Sequence, residues 1–312
     1  MINWGILGLG RMGMTFANAI QETSNSNLTR IASKSGKTFQ KFENSTYENL
    51  IKDKNIDAIY ISTLNNTHID LINEISKEGK KILCEKPISL SLEKLIEIKD
   101  LMFKKNIRLY EAIAYYSHPQ TLELLKLIDN DEIGEIKKVE SNFGFKTKFK
   151  PSSRLFDKSL GGGSIFDLGC YPISFLMLLS KDASRISIES KTLNYATNGV
   201  DDDATAILNC NNKFRGNIHV SLKSHLDNTC TIYGTKGHIK LKDPWLPNLK
   251  SEIEVLSNNN HFYLKTINSK LSIYANQIQN ISESFANPNK KFDFFDIEKS
   301  LINMKLINKW LN

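Results

Sequence analysis

At 312 residues the chain exceeds the usual size of one hydrophobic core, so two domains are expected and a small disulfide- or metal-stapled scaffold is excluded. Hydrophobic residues at 40% and charged residues at 24% are ordinary for a globular enzyme and argue against a disordered or fibrous chain. The net charge of +7 is spread over scattered lysines, with runs no longer than pairs such as Lys104-Lys105 and Lys137-Lys138, so no nucleic-acid surface is expected, while a polyanionic cofactor would suit the positive field.

The chain enters a strand pattern at once, Ile2 to Leu7, without the charged start, apolar stretch and small-residue cleavage site of a signal peptide. Gly8-Leu9-Gly10-Arg11-Met12-Gly13 follows, and then Met14, Phe16, Ala17 and Ile20 at helical spacing, which reads as strand, turn, helix. Strands are predicted at Leu28 to Ser33, Ile56 to Ser62, Lys81 to Cys84 and Ile107 to Tyr110, separated by helical periodicity. That alternation predicts a doubly wound parallel sheet of α/β class over residues 1–118. Past residue 118 strand candidates succeed one another directly and alternate in polarity, as in His238-Ile239-Lys240-Leu241-Lys242. Residues 119–312 are therefore expected to form an α+β domain with a mainly antiparallel, open sheet. Its strands are predicted at Ile136 to Phe145, Ile186 to Leu193, Ala204 to Asn209, Phe214 to Leu222, Thr229 to Tyr233 and His238 to Leu241, interrupted by a helix from Ser164 to Leu179. Ile297, Leu301, Met304, Ile307 and Leu311 mark a closing helix with a core-facing stripe.

Four cysteines, Cys84, Cys170, Cys210 and Cys230, stand far apart without a C-x-x-C pair, and none of the six histidines falls in a metal-binding spacing. Reduced thiols in a cytoplasmic protein without a metal are the expectation. No run approaches the ~18 apolar residues of a membrane span, so no membrane partner is expected.

A G-x-G-x-x-G turn between strand and helix is suited to a dinucleotide. The first glycine permits the tight turn, the second lets backbone approach a pyrophosphate, the third allows close helix packing, and the helix start offers free N–H groups. Leu9, Arg11 and Met12 complete this turn. An NAD-specific site would carry a carboxylate at the end of the second strand, where this chain has Ser33-Lys34-Ser35. A hydroxyl beside a cation suits a 2′-phosphate, so NADP is preferred over NAD. If Lys34 is only a solvated loop residue, both cofactors bind.

Two further stretches are specific when found together: Glu85-Lys86-Pro87 after the strand Lys81 to Cys84, and Gly161-Gly162-Gly163-Ser164-Ile165-Phe166-Asp167-Leu168-Gly169-Cys170-Tyr171. With them the chain resembles the glucose-fructose oxidoreductase, inositol dehydrogenase and MocA family over nearly its whole length. Ser62-Thr63-Leu64-Asn65-Asn66-Thr67-His68, Glu111-Ala112 with His118-Pro119-Gln120, and Arg154-Leu155-Phe156-Asp157 agree with it. The resemblance implies a dinucleotide-binding (Rossmann) domain and a substrate domain. It also places Thr63, Asn65, His68 and Glu85 beside the cofactor. The D-x-x-x-Y spacing of Asp167 and Tyr171 is similar to the branch of dihydrodiol dehydrogenases, xylose dehydrogenases and anhydrofructose reductases, which act on small polyhydroxylated rings. Leu64 departs from the proline usual there.

Oxidising a secondary alcohol requires a base at the hydroxyl while the nicotinamide takes the hydride, and the reverse requires an acid at the carbonyl. Lys86, at a strand end where an open α/β sheet has its crevice, can polarise a carbonyl or stabilise an alkoxide. The following proline predicts an extended backbone there. Tyr171 can donate or accept the proton, since a neighbouring ammonium favours the phenolate of a group whose free pKa is ~10. Asp167, four residues earlier on the same helical face, would orient Lys86 or bind a substrate hydroxyl. Arg154 and Trp245 are candidates for the substrate wall, against the plainer readings of a loop ion pair and a packed aromatic. Cys170 is expected to be buried.

The expected activity is thus an NADP(H)-dependent dehydrogenase or reductase of a sugar, cyclic polyol or dihydrodiol. A homodimer or higher homo-oligomer through the half-exposed sheet is expected with it. Two alternatives share the fold: a non-catalytic dinucleotide sensor, and a redox-neutral enzyme that keeps its cofactor bound.

Overall fold

The computed structural model describes residues 1–257, 261–287, 289 and 293–312. Its contacts divide into two units, one of Met1–Ser117 with Lys270–Leu301 and one of His118–Ser269 with Ile302–Asn312.

The first unit opens with β1 (Ile2–Leu7), α1 (Arg11–Ala19) and β2 (Ser26–Ala32), followed by β3 (Asn44–Ser45), α2 (Tyr47–Lys52) and β4 (Ala58–Ile61). Then come α3 (His68–Lys77), β5 (Lys81–Cys84), α4 (Leu92–Lys105) and β6 (Leu109–Glu111). The strands form one six-stranded sheet in the order β3-β2-β1-β4-β5-β6, every pair parallel. The order reverses beside β1, so a crevice is expected outside the carboxyl ends of β1 and β4. Local chemistry sets the helix limits. Ser91 caps α4 by accepting the Lys94 amide at 3.3 Å, and Asn106, at φ 50°, ends it in the left-handed conformation that asparagine tolerates.

The second unit contains α5 (Pro119–Asp129), β7 (Ile136–Gly144), α6 (Cys170–Ser180), β8 (Ile186–Tyr195), β9 (Asp201–Cys210) and β10 (Phe214–Ser221). β11 (Thr229–Gly234), β12 (His238–Lys242), β13 (Lys250–Ser257) and β14 (His261–Asn268) complete its sheet, in the order β14-β13-β12-β11-β7-β10-β9-β8. All neighbours are antiparallel except β7 and β10. α6 buries Ile173, Phe175, Leu176 and Leu179, and Gly216 leaves room for Leu176, whose Cδ1 would lie 2.3 Å from an added Cβ. An 18-residue window within 158–180 has a mean hydropathy of 1.4, and by length and composition alone it would pass for a membrane span. The sequence still has no run of ~18 consecutive apolar residues, and 78% of that window is buried within the protein, as befits a core helix.

A cut after residue 118 does not describe the return of the chain to the first unit. α7 (Ile273–Ala286) places Ala275, Ile278, Ile281 and Phe285 in one cluster with Ile2, Trp4 and Phe16. Trp4 is fully buried, lies edge-on to Phe16 at 5.4 Å, and donates its indole N–H to Ser282 Oγ at 2.9 Å. The closing α8 (Ile297–Leu311) crosses the boundary at Leu301, and Trp310 near its end donates to Thr205 O at 3.0 Å within the second unit. α5, α7, β13 and β14 are not anticipated by the sequence reading, and the predicted helix from Ser164 opens instead with a π turn, Ile165–Gly169, ahead of α6. All four cysteines are buried, and among the described residues none forms a disulfide.

Candidate functional site

In the first unit the turn Gly8 to Gly13 joins β1 to α1. Gly8 has a φ of +92°, and a Cβ there would meet Ser62 O at 2.9 Å. A Cβ on Gly13 would lie 2.1 Å from Gly8 O, so helix and turn meet at a distance only glycine permits. Ser62 Oγ donates to Gly8 O at 2.7 Å and ties the end of β4 to the turn. Gly10 has open space where a Cβ would be, and no side chain caps the first turn of α1, which also lacks an acidic residue. Backbone N–H groups and the positive end of α1 therefore stand ready for an anion, and the cradle fits a dinucleotide pyrophosphate.

At the end of β2, Asn44 of β3 clasps Ser33 twice, accepting its amide at 2.7 Å and donating to its carbonyl at 3.0 Å. Ser33 Oγ and Ser35 Oγ are 2.9 Å apart, and the exposed Lys34 has its ammonium 5.9 Å from the Tyr47 ring centroid. Sequence reading named Ser33 and Lys34 but missed Asn44, whose pairing across 11 residues leaves no local pattern.

After β4, Thr63 Oγ1 and Thr67 Oγ1 lie 2.7 Å apart, and Asn65 opens a 3₁₀ turn, Asn65–Thr67, beneath the exposed Leu64. His68 is wholly buried, with Nδ1 2.9 Å from Pro87 O and Nε2 3.3 Å from Thr63 O. Burial holds its pKa below the usual histidine value. Pro87 O and Thr63 O are both acceptors, so the neutral ring donates to one of them at a time and links the 63–67 turn to the lysine turn.

β5 delivers Glu85 and Lys86. Tyr60, stacked on Phe16 at 4.0 Å, donates its hydroxyl to Glu85. Burial, reinforced by the Glu85 charge, pushes the Tyr60 phenol well up. Lys86 is half-buried, and its bond to Pro87 is cis, a geometry the expected extended backbone did not include. Glu111, at the end of β6, is only 5% exposed and accepts the Ile88 amide at 3.2 Å. Burial pushes its carboxyl up to about 7. An acid closing an otherwise apolar strand was the available sign.

In the second unit the glycine run turns under long-range restraint. Gly162 N and Gly163 N donate to Asp157 O and Leu155 O, both at 2.9 Å. Gly163 has a φ of +121°, and a Cβ on it would lie 2.2 Å from Asp201 Oδ1. Asp201, 4% exposed, accepts from Ser164 Oγ and the Ile165 amide, each at 2.8 Å, and so fixes the start of the π turn. Burial raises its pKa, against the hydrogen bonds it accepts. It was not predicted, although the acidic run Asp201 to Asp203 ahead of an alternating strand was visible.

Asp167 is buried and pairs with Arg154 Nη1 at 3.1 Å, so within this unit its charge partner is the arginine assigned to the substrate wall. The Arg154 side chain remains 44% exposed. Tyr171 is half-buried, edge-on to Phe143 at 5.3 Å, with Trp245 at 6.5 Å. Trp245 is a correction: 1% exposed, packed against Phe175, it donates its N–H to Asn142 O at 2.9 Å. It backs the tyrosine instead of facing ligand, because its one polar atom is already satisfied. Cys170 is buried. His118 caps α5, accepting the Gln120 amide at 3.1 Å. Elsewhere in this unit a concavity of about 560 Å³, lined by Glu140, Asn142, Thr205, Asn217 and His219 among others, holds none of these groups. Among the described residues no His, Cys, Asp and Glu cluster could hold a metal.

Residues 2–113 match the oxidoreductase family with an NAD-binding Rossmann fold, and residues 121–240 match the GFO/IDH/MocA C-terminal domain. A trans-1,2-dihydrobenzene-1,2-diol dehydrogenase of Xenopus tropicalis is 30% identical over 255 residues, covering 78% of this chain and 76% of that one. The Sus scrofa enzyme of the same name is 27% identical over 286 residues, covering 88% and 84%. Among solved structures, an aldose-aldose oxidoreductase from Caulobacter crescentus superposes with a TM-score of 0.88 at 16% identity, covering 99% and 96%. A 3-ketoreductase from Actinomadura kijaniata, in complex with NADP and TDP-benzene, gives 0.87 at 19% identity, covering 98% and 96%. At these identities the structures establish the shared fold.

Proposed function

The chain belongs to the GFO/IDH/MocA family of NAD(P)-dependent oxidoreductases, and from that premise we propose that it moves a hydride between NADP(H) and a secondary alcohol or carbonyl of a sugar, cyclic polyol or dihydrodiol. The observation that carries the cofactor choice is the end of β2, where Ser33, held by Asn44, stands beside the Lys34 cation in a Ser33-Lys34-Ser35 stretch that itself carries no carboxylate. The relatives named as dihydrodiol dehydrogenases support the substrate class, as does the Arg154–Asp167 pair, which offers both hydrogen-bond donors and acceptors to a hydroxylated ring.

The nicotinamide supplies the hydride acceptor or donor. The chain's own groups supply the rest. The Lys86 ammonium stabilises negative charge on the reacting oxygen. The Tyr171 hydroxyl donates the proton in reduction and accepts it in oxidation. Asp167, oriented by Arg154, accepts a hydrogen bond from a neighbouring substrate hydroxyl. The half-exposed second sheet, with its concave face of mixed polar and apolar residues, supports a homodimer or higher homo-oligomer. Four buried thiols outside any disulfide fit a reducing cytoplasm.

The test is absorbance in the reduced-nicotinamide band with NADP or NAD and a panel of aldoses, inositols and cyclic diols, and with NADPH and matching ketones. Turnover favouring NADP is expected, with kcat reduced about 10²- to 10³-fold in Tyr171→Phe and NADPH affinity unchanged. NADPH binding without turnover of any panel member would replace this reading with that of a sensor.

A further inference from the structure

Glu111 is an ionisable group that the chemistry above leaves unused, yet the fold secures it closely. β5 and β6 run parallel with Cys84 opposite Glu111. The Glu111 amide donates to Phe295 O at 2.9 Å, and Ala112 N donates to Cys84 O at 2.8 Å. The buried carboxyl accepts the Ile88 amide at 3.2 Å, two residues past Lys86. It therefore grips the far side of the turn that presents the lysine. The groups that act on it are the Ser300 hydroxyl of α8 through a hydrogen bond and Lys86 and Glu85 through their charges, and its own charge acts on the Cys84 thiol of β5. A buried carboxyl with no task is replaced at little cost by an amide or an apolar side chain, whereas beside an ammonium it is a counter-charge.

We propose that Glu111 is the positioning residue of Lys86: its carboxylate, anchored on the Ile88 amide, is the buried counter-charge that holds the ammonium in place, and its protonation releases that hold. The inference rests on the reading that Lys86 serves the reaction. Burial is the largest influence on Glu111 and drives it towards the neutral acid. The Ser300 and Ile88 hydrogen bonds and the Lys86 charge oppose this, and Glu85 adds to the rise. The balance falls at about 7, so the acid form prevails below neutrality and the counter-charge to Lys86 is present above it.

Two readouts separate this role from simple packing. In full-length protein carrying ¹³Cε-lysine, the Lys86 cross-peak, assigned by its loss in Lys86→Arg, is expected to shift with a midpoint near pH 7. In Glu111→Gln, which keeps size and a hydrogen-bond acceptor but carries no charge, that inflection disappears. A flat Lys86 titration between about pH 6 and 8 in the unaltered protein overturns the proposal, whether or not a substrate has been found. With a substrate in hand, Glu111→Gln is expected to lower kcat about tenfold at pH 8 and less than about twofold at pH 6, with KM and NADPH affinity unchanged. An equal loss at both pH values means packing alone and rejects the idea. If Glu111→Gln does not fold, Ser300→Ala removes a bond that favours the ionised form, so the Lys86 midpoint must move upward, and an unmoved midpoint has the same negative meaning. An inflection without turnover of any substrate counts for the proposal and against the assigned reaction alone.

Discussion

The glycine turn of the first unit offers a ligand backbone, whereas the glycine-led segment of the second offers side chains. The Gly8 to Gly13 turn exposes N–H groups at the start of α1, and the residues that shape it lie within the turn or one strand away at Ser62. The Gly161 to Tyr171 segment presents Asp167 and Tyr171, and each depends on partners distant in sequence: Arg154 for the carboxylate, Phe143 and Trp245 behind the ring, Asp201 at the start of the turn. A polyanion common to many enzymes can be met by dipoles that any suitable sequence provides. A particular hydroxylated substrate needs side chains whose positions the whole domain must hold.

The comparison can be broken most forcefully at Gly13. Gly13→Ala sets a methyl 2.1 Å from Gly8 O, and NADPH affinity is expected to fall about 10³-fold while unfolding of the second unit is unaltered, as fluorescence titration and denaturation monitored by its tryptophans would reveal. Retained affinity would mean that the backbone cradle is not the nucleotide site. Asp201→Ala tests the other half. Losing the bonds to Ser164 and Ile165 is expected to cost about 3 kcal/mol in urea denaturation and to lower kcat while NADPH binds normally. Unchanged stability would show that the π turn holds itself.

Much of the first unit was legible because its information is local. Strand, glycine turn and helix stand in succession, and the apolar runs at Ile56 to Ser62 and Lys81 to Cys84 mark buried strands at or near their observed limits. α7 escaped notice because its apolar residues, Ile278, Ile281 and Phe285, are interleaved with Gln277, Ser282 and Ser284, which are polar and yet buried. β14 has Ile267 as its one buried residue and exposes Phe262 and Leu264, so the polarity rule for a half-buried strand inverts along it. In the site, Asp167 and Tyr171 were readable as a spaced pair, whereas Asp201 and Asn44 act through pairing that only the folded chain creates. Trp245 could not be assigned to wall or core from type alone.

Two smaller effects sharpen the contrast. Lys34→Ala is expected to weaken NADP binding about tenfold and leave NAD unchanged in parallel titrations. Equal losses for both cofactors would remove the 2′-phosphate role. Trp245→Phe deletes the bond to Asn142 O and is expected to cost about 1 kcal/mol of stability with KM altered less than about twofold. A large KM increase would return Trp245 to the substrate wall.

The order in which the ribosome delivers these pieces matters. β7 lies in the middle of the second sheet, between β10 and β11, so the centre of that sheet waits until residue 234 has been made. The first unit waits longer still, since Trp4 and Phe16 share their cluster with Ile278, Ile281 and Phe285. A nascent chain that has reached Asn268 therefore carries its complete glycine turn on a core with one side bare, an aggregation-prone state of the kind that occupies chaperones during synthesis.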